Sequence, residues 1–220
     1  MLGTGMVGQA IAGKLVSLGH EVMMGSRRAG NEKAAAWADG AGPAASEGSF
    51  ADAARFGAVV VNATAGQASL DALTAAGADH LAEKVLIDVA NPLVFGGVLP
   101  TLAVCNTDSL GERIQREFPA ALVVKTLNTV NVEVMIDPAL VRGPHSIFVC
   151  GDDPGAKEEV VALLTAFGWD LEQVVDLGDI TAARGTEMYL MLWLRLWSTL
   201  GTGHFNIHVA TPAADSPGSS

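Results

Sequence analysis

Two hydrophobic periods alternate along the chain. Short runs rich in β-branched residues are separated by alanine- and leucine-rich windows whose apolar positions recur at helical spacing. The runs at His20 to Met24, Ala58 to Asn62, Lys84 to Val89, Ala121 to Lys125, Ser146 to Cys150 and Gln173 to Leu177 predict strands. Helices are predicted near Asn31 to Asp39, Ser49 to Arg55, Leu70 to Ala76, Ser109 to Glu117 and Pro154 to Phe167, the last with Asp153 as N-cap and Pro154 in its first turn. Gly40 to Gly48, which contains Pro43, reads as a loop. Strand and helix in alternation imply βαβ units. The expected fold class is therefore α/β, a Rossmann-type doubly wound, mostly parallel sheet, with a small C-terminal α/β lobe after the pattern changes between Asn128 and Pro144.

The first helix carries the chemistry. Gly3-Thr4-Gly5-Met6-Val7-Gly8 is a GxGxxG sequence that leads into a helix with Val7, Ile11, Leu15 and Leu18 on one face and Gly19 as its stop. The first glycine allows a tight turn, the second lets backbone approach a pyrophosphate, and the third lets helix and strand pack closely. The phosphate itself is held by the free N–H groups and positive dipole end of the helix. Gly3, Thr4, Gly5, Met6, Val7 and Gly8 are accordingly expected to bind a dinucleotide. The fingerprint should follow an apolar strand, yet only Met1 and Leu2 stand before Gly3, and a short apolar stretch upstream of Met1 is expected.

The next strand ends in Gly25-Ser26-Arg27-Arg28, with no acid to accept from a ribose 2′-OH. A hydroxyl followed by guanidiniums suits a 2′-phosphate, so Ser26, Arg27 and Arg28, with Lys33 from the following helix, predict NADP(H) over NAD(H). The nicotinamide should lie at C-terminal strand ends, the ligand edge of an open α/β sheet, near Asn62, Ala63, Thr64, Ala90 and Asn91, with Pro92 turning the chain away. Asn128 and Lys125 are candidates for a catalytic role, since a lysine with an asparagine three residues later can polarise a carbonyl.

Composition narrows the field. Half of the 220 residues are hydrophobic and 17% are charged, below the roughly 25% of an ordinary soluble domain, so the chain is rich in interior. The net charge of −11 repels nucleic acid and anionic membranes, and neither is an expected partner. Cys105 and Cys150 make neither a disulfide framework nor a zinc site, which fits a reducing cytoplasm, and Cys150 reads as a buried strand residue. His204 and His208 stand four apart but behind helix-breaking Gly201 and Gly203, so no metal is expected. In the long helix expected over Thr181 to Leu200, the stretch Met188 to Leu200 is apolar almost all round but contains Arg195 and falls well short of the ~20 apolar residues a membrane span needs. It is expected in the core, in a dimer interface, or as a wall of a second-substrate pocket. Ala210 to Ser220 reads as a disordered tail.

Over Gly3 to about Val209 the sequence resembles the family of NADPH-dependent coenzyme F420 reductases. The matching stretches are Gly3-Thr4-Gly5 with Gly8, Leu18-Gly19-His20-Glu21-Val22, Gly25-Ser26-Arg27-Arg28 and Val149-Cys150-Gly151-Asp152-Asp153. The resemblance implies a homodimer that passes hydride between NADP(H) and coenzyme F420 or a related flavin. It also implies phosphate contacts at Thr4, Gly5, Met6 and Val7, and 2′-phosphate contacts at Ser26 and Arg27. Residues 1–130 would form the NADP-binding domain, 131–209 the lobe with the acceptor site and dimer contacts, and 210–220 the tail. Two segments depart from the family pattern. Lys125-Thr126-Leu127-Asn128-Thr129-Val130 stands where the family has a His-Thr-Ile-like segment, and Asn62-Ala63-Thr64-Ala65 stands for a Thr-Ile-Pro-Trp-like one. The Lys125, Asn128, Thr129 pattern is closer to the cytosolic NADPH-binding domains of membrane ferric reductases. An NADPH-dependent reductase of a small carbonyl or imine, and a non-catalytic NADP-binding redox sensor, are the competing readings.

Overall fold

A computed structural model of the chain describes residues 1–97 and 99–211. In chain order its elements are α1 (Met6–Ser17), β1 (Val22–Ser26), α2 (Glu32–Ala41), β2 (Ala45–Ser49), α3 (Phe50–Phe56), β3 (Val59–Asn62), α4 (Ser69–Ala76), α5 (Ala78–Leu81), β4 (Val85–Asp88), β5 (Leu93–Val94) and β6 (Thr101–Leu102). These are followed by α6 (Leu110–Glu117), β7 (Leu122–Thr126), α7 (Val132–Ile136), β8 (Ile147–Cys150), α8 (Pro154–Phe167), β9 (Val174–Asp176) and α9 (Ala183–Leu200).

Local chemistry sets the ends of these elements. Ser49 and Asp52 form a reciprocal capping box at the start of α3. Asp153 accepts from Ala156 N at 2.7 Å to open α8, and left-handed Gly168 closes it. The β3, β4 and β7 strands pair in parallel, Val60 beside Leu86 and Leu86 beside Val123. Successive residues point to opposite faces, as strand geometry requires. Val61, Ile87, Val124 and Val149 enter one core with Ile11, Val160 and Trp169. Val60, Leu86, Val123 and Cys150 enter the other with Phe50, Leu73 and Ile114. Helices cover both faces, so the fold is the expected Rossmann-type α/β.

The structure departs from the sequence reading in several places. The loop expected at Gly40 to Gly48 contains β2, which pairs in parallel with β1 from Val22 beside Ala45 to Ser26 beside Ser49. As a partly exposed edge strand with polar residues it lacks the apolar signature of the central strands. The β7–β8 pair is antiparallel, Lys125 beside Cys150, in a sheet otherwise parallel, and β5 and β6 form a separate antiparallel pair. β8 and β9 extend the sheet of the first half, and Phe167 and Trp169 share its core, so residues 131–209 build no sheet of their own.

The strand ahead of the phosphate loop is reduced to Leu2, which bridges Gly25 on one side and Asn62 on the other. That position joins β1 to β3 and gives the order β2-β1-Leu2-β3-β4-β7-β8-β9, the doubly wound arrangement with its first strand in the middle. Below Leu2 the two halves of the sheet part around a cavity of about 650 Å³ lined by Leu15, Val22, Val59, Val85, Val160 and Leu163. The Met1 amino group at its top is buried and donates to Met23 O at 2.9 Å. Burial without a counter-ion lowers its pKa from 8.0 to about 5. No helix among the described residues is long and apolar enough to cross a membrane. The tail expected over 210–220 lies, past Thr211, outside the described residues.

Candidate active site

The phosphate loop emerges from Leu2 with Gly3 at φ +115°, where a Cβ would stand 2.5 Å from Ala63 O. Gly8 closes the turn, since a Cβ there would lie 2.3 Å from Gly3 O. Gly5 differs: it is the N-cap of α1, is exposed, and nothing lies within 4 Å of where its Cβ would be. Protein packing alone does not demand glycine there. The open space faces the first turn of a twelve-residue helix with no acidic residue and no side-chain cap, which is the cradle an anionic pyrophosphate requires. Gln9 Nε2 donates to Thr4 O at 3.0 Å and fixes the loop.

β1 ends beside this loop, with Gly3 N donating to Gly25 O at 3.1 Å. Ser26 is buried and its Oγ donates to Arg28 O at 2.6 Å, shaping a turn on which Arg27, Arg28 and, from α2, Lys33 are exposed. Glu47 of β2 accepts from Gly30 N and tethers the far side of the turn. The residues present fit a 2′-phosphate at this place: guanidiniums with no carboxylate partner among the described residues, next to a hydroxyl, at the strand end.

A cleft of about 240 Å³ runs on from α1 along the C-terminal strand ends. The structure brings Ala63, Thr64, Ala90, Asn91 and Asn128 together on it, joined by Val7, which the sequence assigned to the pyrophosphate. Asn91 and Asn128 join its floor by reciprocal amide bonds of 2.8 and 3.1 Å. Gly66 backs onto Asn91 so closely that a Cβ would lie 2.1 Å from Asn91 O. The remaining wall is apolar: Val89, Leu93, Phe95, Val130, Met135, Leu190 and Trp193. Phe95 stands on the turn after β5 and is exposed, while Leu190 and Trp193 come from α9, so part of the long apolar helix lines this cleft. Trp193 stacks on Phe205, and its Nε1 is buried without a partner among the described residues.

Asn62 does not reach the cleft. It is fully buried, with Nδ2 donating to Asp88 Oδ1 at 2.8 Å and to Ser69 Oγ at 3.0 Å, while its Oδ1 accepts from Thr64 Oγ1 at 2.7 Å. It supports the wall rather than forming it. The reading of Lys125 as a group that polarises a carbonyl is likewise corrected. Its side chain is fully buried, and Nζ lies 2.8 Å from Asp88 Oδ2 and 2.9 Å from Glu187 Oε1. Burial lowers the ammonium pKa, but the two carboxylates outweigh it and hold the pKa above the ordinary lysine value. The lysine points behind the strand ends and keeps its proton.

Asp88 and Glu187 were not foreseen. Glu187 is the sole acid in α9 and also accepts from Leu110 N and Gly111 N at 2.8 and 3.0 Å at the start of α6. An isolated acid in an apolar helix is the signal that could have revealed it. His204 pairs with Glu133, and no metal-holding group of His, Cys, Asp or Glu occurs among the described residues. Cys150 is buried, and burial lifts its thiol to about 12.

A family model described as NADP oxidoreductase, coenzyme F420-dependent, matches residues 1–92. A crystal structure of a "putative F420 dependent NADP-reductase" from Arthrobacter sp. FB24 is 52% identical, covers 96% of this chain and 97% of its own, and superposes with a TM-score of 0.89. The chain belongs to the F420-dependent NADP oxidoreductase family. The metalloreductase STEAP3 of Rattus norvegicus is 29% identical over 201 residues, which is 90% of this chain and 37% of that protein. The chain thus spans little more than a third of the curated relative. The reductive aminase of Aspergillus terreus, 18% identical with a TM-score of 0.64 over 91% of this chain and 61% of its own, shares the fold. This family member is an NADP-dependent oxidoreductase.

Proposed function

We propose that the protein passes hydride between NADP(H) and coenzyme F420, as a homodimer in the cytoplasm. Residues 1–130 would hold NADP(H): Gly3 to Gly8 the pyrophosphate, Ser26, Arg27, Arg28 and Lys33 the 2′-phosphate, and Ala63, Thr64, Ala90 and Asn91 the nicotinamide. Residues 131–209 would supply the acceptor wall, through Leu190 and Trp193 of α9, and the dimer contacts, through the exposed Leu192, Trp197 and Leu200 of the same helix. The bound cofactor supplies the hydride chemistry; the protein orients the rings and excludes water.

The observation that carries this reading is the chemistry of the cleft wall. It combines apolar and aromatic side chains with the uncharged polar groups of Thr64, Asn91 and Asn128. Such a wall suits stacking of one planar ring system on another, whereas reduction of a carbonyl or imine calls for a proton donor at the reacting atom. Lys125, the donor considered for that chemistry, is committed to Asp88 and Glu187. Anaerobic oxidation of NADPH by F420, FMN, FAD, a ferric chelate, a small carbonyl and a cyclic imine, each offered separately, tests the reading. Turnover with F420 supports it, turnover confined to an imine or carbonyl overturns it, and tight NADPH binding without turnover identifies a sensor.

A flavin-mediated metal reduction is the second reading. It rests on the 29% identity with the metalloreductase and predicts that FMN or FAD exceeds F420 in the same assay.

A further inference from the structure

The cleft is bordered by elements far apart in sequence: the segment after β3, the segment after β4, and α9. One buried cluster touches all of them. Lys125 Nζ contacts Asp88, Glu187 and the carbonyl of Ala90, a residue that itself lines the cleft. Asp88 Oδ1 accepts from Asn62 Nδ2 and Ala90 N, and Asn62 in turn receives Thr64 Oγ1. Glu187 sits less than a turn before Leu190, so the Lys125 contact sets where Leu190 and, one turn on, Trp193 stand. Asp88, Lys125 and Glu187 are each at most 1% exposed.

This arrangement costs more than an apolar core would. Two carboxylates and one ammonium must be desolvated, and a buried ionic cluster is by itself weak support for a fold. What the charges add is direction, because each oxygen and each N–H has an assigned partner on a different element. Leu127, two residues along, is held at φ +62°, a backbone strain that the surrounding contacts must maintain. It immediately precedes Asn128 of the cleft floor.

We infer that Lys125 is a positioning residue: through Asp88 and Glu187 it fixes the spacing between the nicotinamide-side strand ends and the α9 wall. The inference rests on the cofactor reading above and extends it to the geometry of the nicotinamide half alone. The adenosine half, held at Gly3 to Gly8 and Ser26 to Arg28, has no contact with the cluster among the described residues.

Affinities for NADPH and for 2′,5′-ADP, which carries only the adenosine half and its 2′-phosphate, separate the two ends of the site. The test compares the wild type with Lys125→Met and with Glu187→Gln, the latter leaving a one-to-one Lys125–Asp88 pair and an amide oxygen for the α6 N–H groups. The expected result is that NADPH affinity falls about tenfold, the scale of one hydrogen bond to a charged group, while 2′,5′-ADP affinity stays within about twofold. If Lys125→Met does not fold by circular dichroism, Glu187→Gln alone decides. Equal losses for both ligands, or no change for either, overturn the inference. So does a wild type that binds the two ligands equally, because the cleft then contributes nothing to hold. A wild type that binds neither ligand overturns the cofactor reading instead.

Discussion

Asn91 and Asn128, on loops that follow different strands, hold each other across the floor of the cleft. Asn91 Nδ2 donates to Asn128 O at 2.8 Å, and Asn128 Nδ2 donates to Asn91 Oδ1 at 3.1 Å. The pair closes the sheet edge where β4 and β7 lie side by side. With Asn128 buried, Asn128→Leu removes a donor and leaves Asn91 Oδ1 short of a partner. The variant is expected to lose about 1–3 kcal/mol of stability in urea unfolding. A loss within error would mean that water satisfies Asn91 and that the pair does not hold the floor.

Arg27 stands exposed on the turn after β1, next to Ser26 and with no carboxylate partner among the described residues. Arg27→Glu replaces a donor for a 2′-phosphate with a like charge. NADPH affinity is expected to fall about ten- to a hundred-fold, the equivalent of a charge-assisted hydrogen bond, with NADH affinity unchanged. Equal binding of NADPH and NADH by the unaltered protein would remove the basis of this assignment.

The buried amino group of Met1 makes stability depend on pH. Its pKa is about 5 when folded and 8.0 by ordinary reference, so between these values the unfolded chain binds a proton that the folded chain does not. Stability therefore rises with pH from about 5 to 8, by at most about 4 kcal/mol at 1.36 kcal/mol per unit. Chemical denaturation of the chain starting at Met1, across that range, measures it. A flat profile would show that the amine reaches water.

The cavity beneath Met1 predicts the effect of an added strand. A short Val/Ile-rich extension fused ahead of Met1 can pair between β1 and β3 and bury its side chains against Leu15, Val59 and Leu163. Burial of even one such side chain is worth about 2 kcal/mol, or roughly 4–8 °C in Tm for a domain of this size. A Gly/Ser extension of the same length is the control, and equal Tm values for the two fusions would exclude strand pairing there.

Exposed apolar side chains of α9 predict assembly. Leu192, Trp197 and Leu200 are each about half exposed, Trp197 stacked on Trp193. Sedimentation at micromolar concentration is expected to show a dimer, and Trp197→Glu a monomer with unchanged helix content. A monomeric wild type would contradict it.

The parts of the molecule legible in sequence were those with short-range signatures. The phosphate loop, the arginine turn and the central strands each declare themselves within a few residues, through glycine spacing, charge, or β-branched runs. β2 escaped because an edge strand of Ala, Ser, Glu and Gly does not read as apolar. Lys125 was misread because its partners Asp88 and Glu187 lie far away in sequence, Asp88 by 37 positions. A strand-end lysine looks like a solvated or catalytic group until the fold brings buried carboxylates to it. Leu190 and Trp193 stand in a helix that reads as apolar all round, so periodicity does not say which side of α9 meets the cleft.

Anaerobic mixing of the purified protein with NADPH and F420, following the deazaflavin's visible absorption, tests hydride transfer most directly. The account predicts bleaching of F420 in step with loss of NADPH, with NADH much slower. Stable F420 absorption in the presence of bound NADPH would contradict it.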